Sequence, residues 1–398
     1  MQMITYPEIT LKKGREAALL RGHPWIFSRA IQTVKGNPDA GDIVLLKDSS
    51  GKPLALGFYN PHTDIAFRLL TRDCDHDISA DFWQRRLQAA IKLRQLIINA
   101  QTNAYRLINA EGDGFPGLIV DVYDSTLVLS IATAGIEKQK EHIIAALISM
   151  LKPACIYEQS EGRSRKLESL ENKKGFIHGS DKTGMQEIKE NGWKFEVDFI
   201  GGQKTGFFLD QRINREQIGA LSNGASVLNC FSYTGAFSVY CAAGIAKRVV
   251  SLDISKQACA AAKKNLELNG FSPEEHPVID SDVFDYLRET QEKFDLIILD
   301  PPAFAKTKHD VQKAARGYKE INMQAVKLLN SGGLLATFSC SNFIEEDLFH
   351  KIVLGAACDA GASLQLLSRL EAGPDHPVSF GHPEGRYLKG LLVKLQFP

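Results

Sequence analysis

Two residues late in the chain have the types needed to modify a carbon atom: Asp300, followed at once by Pro301 and Pro302, and Cys340, set between Ser339 and Ser341. Each follows an apolar run, 293–299 directly for the acid and 334–338 with Ser339 between for the thiol, and both runs read as buried strands. Two prolines cannot continue a ladder, so they hold a rigid turn at the strand's carboxyl end, where α/β sheets take ligands. A thiolate beside that turn can add to C6 of a pyrimidine and make C5 a carbanion-like nucleophile. An acid hydrogen-bonded to N3 or to the amino edge then stabilises the charge that develops. The competing reading is that Cys340 is one more inert, buried small hydrophobe. Its serine neighbours and strand-end position favour chemistry. A base for the C5 proton is less visible. His376 and His382 lie in a Pro/His/Gly loop at 374–385, where a solvated role competes.

These residues need a scaffold, and residues 225–302 supply its pattern. A short strand runs into the turn Asn229, Cys230, Phe231, Ser232, Tyr233, Thr234, Gly235, and a small-residue helix follows over 236–243, closed by Gly244. The next strand, 248–252, ends on Asp253 with Ile254 beside it, about 20 residues after the turn begins, the spacing of an acid that takes a ribose hydroxyl pair. The turn holds one glycine rather than GxGxxG, so nothing lets the backbone close on a pyrophosphate. A cofactor with ribose and no phosphate fits better, and S-adenosyl-L-methionine is the common one. The alternative is an α/β core that binds no nucleotide. A third strand at 277–280 leads to Asp282 and Val283, where an acid can receive the adenine amino group. Helices at 255–269 and 318–329, the second closed by Gly332 and Gly333, and closing strands at 364–370 and 387–395 complete a doubly wound sheet.

The chain's 398 residues predict two or three domains, with 47 basic residues balanced by 47 acidic ones, so any nucleic-acid contact must come from local patches. No run approaches the ~18 apolar residues that cross a membrane, and the start has no apolar signal core. Seven scattered cysteines without CxxC or Cys/His clusters argue against a metal and against disulfides. The expectation is a cytoplasmic, thiol-reduced, soluble protein.

Residues 1–72 read as a small β-rich unit with strands at 4–11, 42–47, 54–59 and 65–70. There His23, Trp25 and Arg29, with Arg15 and Arg21, set cations beside an aromatic, which suits stacking and phosphate contact; a buried Trp25 among solvated arginines is the alternative. Residues 73–185 form a middle α/β unit with helices at 81–98 and 136–151, strands between and after them, and a charged loop at 161–174. The rest, 186–398, holds the doubly wound domain. It opens on GGQKTGFFLDQR, read either as a flap bearing Phe208 over the pocket and Lys204 towards nucleic acid, or as a plain turn. Lys306 and Lys308 begin a basic stretch that continues through Lys313, Arg316 and Lys319, suited to a phosphodiester backbone or to a solvated helix face.

Taken together, GGQKTGFFLDQRINR (201–215), VLNCFSYTGAFSVYCAAGIA (227–246), DPPAFAKTK (300–308), SCS (339–341) and HPEGRYLKGL (382–391) resemble the RlmI family of bacterial 23S rRNA 5-methylcytosine methyltransferases. RGHPWIFSRAI (21–31) resembles the family's PUA domain, and AEGDGFPGLIVDVY (110–123) its middle domain, so the likeness runs over essentially the whole chain. It implies a fold of three parts: a PUA-like RNA-binding domain, a small α/β middle domain and a Rossmann-like class I methyltransferase domain. Phe231 to Gly235, Asp253, Asp282 and Asp300 would bind S-adenosyl-L-methionine, and Cys340 would be the nucleophile. The implied partner is ribosomal RNA, with no membrane and with a homodimer left open. Ala303 stands where the family carries a basic residue, and the second cysteine of other RNA cytosine-C5 enzymes is missing after the prolines. Two rival readings remain, methylation of a guanine or adenine nitrogen on the same fold and a non-catalytic ribosome assembly factor.

Overall fold

The structure, a computed structural model, describes residues 6–181 and 183–396 and divides the chain into two units. One ends its main stretch at Ile188 and takes in Val197–Phe207 and Pro374–Gly385; the other holds Lys189–Glu196, Phe208–Gly373 and the chain from Arg386 on.

In the second unit, seven strands follow the apolar runs: β1 (Ser226–Cys230), β2 (Arg248–Asp253), β3 (Val278–Asp280), β4 (Phe294–Leu299), β5 (Leu329–Ser339), β6 (Leu364–Leu370) and β7 (Lys389–Leu395). They form one sheet in the order β3-β2-β1-β4-β5-β7-β6. The first five are parallel, and β7 runs antiparallel to both β5 and β6. Helices α1 (Arg212–Ala220), α2 (Ala236–Ala243), α3 (Lys256–Leu268), α4 (Val283–Glu289), α5 (Val311–Leu328) and α6 (Glu346–Asp359) connect them. Strand β4, FDLIIL, is buried along nearly its whole length, as a parallel strand inside an α/β sheet must be. Helix α5 turns Ala314, Tyr318, Ile321, Ala325 and Val326 into the same core at spacings of three and four. The order of strands reverses between β1 and β4, which opens a crevice at their carboxyl ends.

Two terminations differ from the sequence-based expectation. Helix α5 starts at Val311 and stops at Leu328, and β5 begins at the next residue. Gly332 and Gly333 therefore lie inside the strand, near a register shift against β4, and do not cap the helix. Gly244 follows α2 with an ordinary φ of −75°, so it is no left-handed cap. It is glycine because a Cβ there would stand 2.0 Å from the Gly219 carbonyl oxygen.

The first unit holds a six-stranded sheet, in the spatial order Trp25–Phe27, Ile65–Thr71, Pro53–Tyr59, Ile43–Lys47, Glu8–Leu11 and Ile31–Lys35. A five-stranded sheet runs from Lys173–His178 through Cys155–Ser160, Thr126–Ile131 and Leu118–Tyr123 to Ala104–Asn109, and packs with helices Ala80–Ile97 and Ala134–Leu151. Residues 4 and 5 of the expected first strand lie outside the described residues. The strand Ile31–Lys35 gave no signal because four of its five residues are exposed. The supposed loop at 161–174 contains helix Arg163–Leu167 and the start of strand Lys173–His178. Two of its charges are buried and paired: Arg165, 1% exposed, bonds Glu137, while Glu168 holds Arg68 and Asn60; the other charges of the stretch are exposed. A charge run reads as solvated when its partners lie far off in sequence.

Candidate active site

The turn after β1 carries the first half of the site. Its residues are left-handed at alternate positions, with φ of 58° at Phe231, 46° at Tyr233 and 74° at Gly235. Each non-glycine residue there costs about 1–2 kcal/mol, and such strain gathers where backbone groups serve a ligand. Bonds to the neighbouring strand hold the turn: Ser232 N donates to the Leu252 carbonyl at 2.9 Å, and Tyr233 N to Asp253 Oδ2 at 2.9 Å. Asp253 Oδ1 accepts from Ser255 N at 2.9 Å, so two amides fix the carboxylate at the sheet edge with lone pairs to spare. Ile254 beyond it is 67% exposed.

Asn229 lies beneath the turn and donates to Ser238 Oγ at 2.9 Å, which bonds Ser251 Oγ at 2.7 Å. Asn229 Oδ1 and Ser232 Oγ are both buried with no hydrogen-bond partner among the described residues. Unsatisfied polar atoms of this kind call for a ligand or water. Asp282 caps α4, its Oδ1 accepting from Phe284 N at 2.7 Å, and Val283 behind it is buried. Phe208 meets Tyr233 edge to face at 5.3 Å between ring centroids. A carboxylate at the second strand's end, a capped acid at the third, aromatic walls and two orphan acceptors fit a nucleoside-bearing cofactor without phosphate.

Asp300 and Cys340 form the other half. Gln211 Nε2 donates to Asp300 Oδ2 at 3.1 Å, and Gln211 Oε1 accepts from Asn214 Nδ2 at 2.6 Å. Asn214 in turn donates to the Glu371 carbonyl at 3.0 Å. Cys340 is half-buried, its Sγ 4.0 Å from the carbonyl oxygen of Pro301. The thiol therefore adjoins the turn that begins at Asp300. Tyr318 ties the strand end together: Ser339 Oγ donates to its hydroxyl at 3.1 Å, and that hydroxyl meets Ser341 Oγ at 3.0 Å. Burial pushes the Cys230 thiol far up and that of Cys241 up to about 12, so those two stay protonated.

Sequence reasoning passed over Gln211, Asn214, Tyr318 and Lys389. The polar triplet Asp210-Gln211-Arg212, buried at a helix start, was the available signal for the first two. Tyr318 opens the helix expected at 318–329, and nothing local in sequence sets it apart from a packing residue. Lys389 was quoted only inside a longer motif. A lysine opening an apolar strand was its signal.

The residues expected at nucleic acid fall in both units. In the first, Trp25 is half-buried: its Nε1 donates to Glu111 Oε1 at 2.8 Å, Arg68 lies 5.3 Å over the ring, and the His382 ring is 4.3 Å away. His23 Nε2 stands 3.4 Å from Glu384 Oε1. Arg29 and Lys204 are exposed, the latter in a turn closed by Gly206 N donating to the Gln203 carbonyl at 2.9 Å. In the second unit Lys306 and Lys308 are exposed, while Lys319 pairs with Asp359 at 2.7 Å and Glu320 with Arg288. The two loop histidines are not solvated: His376 is 4% exposed and His382 5%, and both belong to the first unit while Cys340 belongs to the second. The His382 ring packs edge-on against His23 and Trp25.

Among the described residues no cluster of histidine, cysteine and acids could hold a metal ion, and no helix is long and apolar enough to cross a membrane. A family model for S-adenosylmethionine-dependent methyltransferases matches residues 106–393, and one for a PUA-like domain matches 9–72. The ribosomal RNA large subunit methyltransferase I of Aeromonas salmonicida is 47% identical over 97% of the chain and 98% of its own length. That of Pseudoalteromonas translucida is 44% identical over 97% and 99%. Among solved structures, a SAM-dependent methyltransferase assigned in Streptococcus mutans aligns with a TM-score of 0.83 at 25% identity, over 97% of this chain and 99% of that one. Another methyltransferase, solved in complex with SAH, aligns with a TM-score of 0.84 at 26% identity over the same shares.

Proposed function

We propose, from the premise that this chain belongs to the ribosomal RNA large subunit methyltransferase I family of S-adenosylmethionine-dependent enzymes, that it methylates C5 of a cytidine in 23S rRNA. The chain is a ribosomal RNA methyltransferase with a PUA-like domain; the finer assignments below are our reading. Asn229, Phe231, Ser232, Tyr233, Thr234 and Gly235 form the floor of the cofactor pocket, Asp253 with Ile254 takes the ribose, and Asp282 with Val283 the base. Phe208 closes the aromatic side, and Asp300 borders both cofactor and substrate. When bound, S-adenosyl-L-methionine supplies an electrophilic sulfonium methyl group.

The remaining chemistry belongs to the chain. The Cys340 thiolate adds to C6 of the cytosine, and the electron pair of the C5–C6 bond becomes available at C5. In its protonated form Asp300, oriented by Gln211, donates to N3 and so stabilises the negative charge that spreads onto the ring. Once C5 carries its methyl group, a water molecule takes the C5 proton, the C–H electron pair re-forms the C5–C6 double bond, and the Cys340 thiolate leaves C6. RNA is held by His23, Trp25 and Arg29 on the PUA-like part (1–72), by Lys204, and by Lys306 and Lys308 beside the prolyl turn. We take 73–185 as the middle domain, 186–398 as the catalytic domain and the cytoplasm as the place of action.

One observation carries this reading: Cys340 Sγ lies 4.0 Å from the Pro301 carbonyl oxygen of the Asp-Pro-Pro turn and is half-buried. Mass mapping of 23S rRNA from cells with and without the gene tests it. Loss of one 5-methylcytidine is the expected result, and an unchanged cytosine profile with loss of a methylated purine turns the assignment to nitrogen. Cys340→Ala is expected to reduce methyl transfer on the order of a thousandfold or more while S-adenosylhomocysteine still binds in calorimetry. Full transfer by that variant would remove the thiol from the mechanism.

A further inference from the structure

Strand β7 enters the sheet antiparallel to β5, and its first residue, Lys389, stands opposite Ser339, one position before Cys340. Its Nζ donates to the carbonyl oxygen of Ser341 at 2.9 Å and to that of Tyr387 at 2.8 Å. Those two bonds leave one N–H of the ammonium for a third partner. The side chain is largely withdrawn from water, and among the described residues no carboxylate lies within ion-pair distance of it. A cation drawn partly out of water without an anion is costly, and a strand otherwise reading GLLVKL gives no packing reason for a lysine here.

We propose that Lys389 is a positioning residue for methyl transfer: its ammonium, anchored on the Ser341 and Tyr387 carbonyls, holds the Cys340 sulfur as a thiolate and fixes the strand end that carries it. This rests on the reading of Cys340 as the nucleophile.

The electrostatics run the same way. Burial lowers the proton affinity of Lys389, and the charge of Cys340 works against that lowering. Interaction between two titrating groups is mutual, so a cation that gains from the thiolate also favours it over the thiol. Among the described residues, titratable groups on elements beside Cys340 include Tyr318 on α5, Asp300 on the turn after β4, and Tyr387, whose hydroxyl donates to Asp210 Oδ2 at 2.5 Å. Tyr318 is kept protonated by burial and by the field of Cys340. Asp300 is an acid and supplies no positive charge. Lys389 is the cation of the set.

The test is peptide-resolved alkylation of the full-length protein with iodoacetamide between pH 5.5 and 9.5, with exposed Cys358 as the internal reference. For Lys389→Met we expect Cys340 to react about tenfold more slowly at pH 7, its midpoint rising by about one pH unit, while Cys358 is unchanged. Lys389→Arg keeps the charge and should restore most of the rate, and Lys389→Gln should behave as the Met variant. Retained S-adenosylhomocysteine binding shows that each variant is folded. If the Met variant does not fold, the Arg and Gln variants decide the matter between them. An unchanged midpoint without the cation, or an Arg variant as slow as the neutral ones, overturns the proposal. The thiol is read directly whether or not it attacks RNA, so failure of the nucleophile reading shows separately, as full methyl transfer by Cys340→Ala.

Discussion

A carboxyl group at a sheet edge serves chemistry only if its oxygens face the atom where charge develops, and at Asp300 that orientation is borrowed. The prolyl turn fixes the backbone, and Gln211 fixes the carboxylate through a 3.1 Å bond, itself held by Asn214. Acidity and orientation can therefore be removed separately. Asp300→Asn keeps the shape and loses the acidic proton, and should lower single-turnover methyl transfer on the order of 10²–10³-fold, as loss of a preorganised electrostatic partner does. Gln211→Leu leaves the acid and removes one hydrogen bond worth about 1 kcal/mol, so its loss should be nearer tenfold. Rapid-quench measurement with a labelled methyl donor checks both. Equal losses would mean that Asp300 acts only by being held in place.

At the scale of elements, the turn from β1 to α2 shows what composition could and could not announce. The apolar strand, the small-residue helix and the acid closing the next strand are local patterns, and residues 226–253 fold as they read. The left-handed backbone at Phe231 and Tyr233 is not local, because neither residue type favours it; the strand bearing Asp253 imposes it through the amide of Tyr233. Gln211 and Asp300 are 89 positions apart, and Lys389 and Ser341 are 48 apart, so no window along the chain contains either contact. Only Gly235 in the turn was legible as a backbone requirement. It has φ of 74°, and a Cβ there would come 2.8 Å from the Ala262 Cβ. Gly235→Ala should therefore cost about 1–3 kcal/mol of stability and weaken S-adenosylhomocysteine binding. Chemical denaturation and calorimetry read the two effects, and an unchanged stability would mean that the turn relaxes freely around the new methyl group.

Across the whole molecule, 47 basic and 47 acidic residues leave no net field to draw in a polyanion, so affinity for RNA must be built from patches. The stretch after the prolyl turn is one such patch, though it is smaller than its sequence suggests. Lys319 is engaged by Asp359, whereas Lys306 and Lys308 are exposed and precede the helix that carries Tyr318 to the thiol. Asp310, the nearby acid, is turned back onto Thr307 in a capping box and held there as a carboxylate, chiefly by the Thr307 hydroxyl. If the two lysines neutralise phosphates, each releases about 0.7–0.9 counterion on binding. Replacing both with alanine should then flatten the plot of log affinity against log salt by roughly 1.4–1.8. The affinity itself should fall at every salt concentration, most at the lowest, while S-adenosylhomocysteine binding stays as it was. Fluorescence anisotropy of a labelled rRNA fragment across a potassium chloride series makes the measurement. An unchanged slope would take both lysines off the RNA path and leave the PUA-like part and Lys204 to supply the charge.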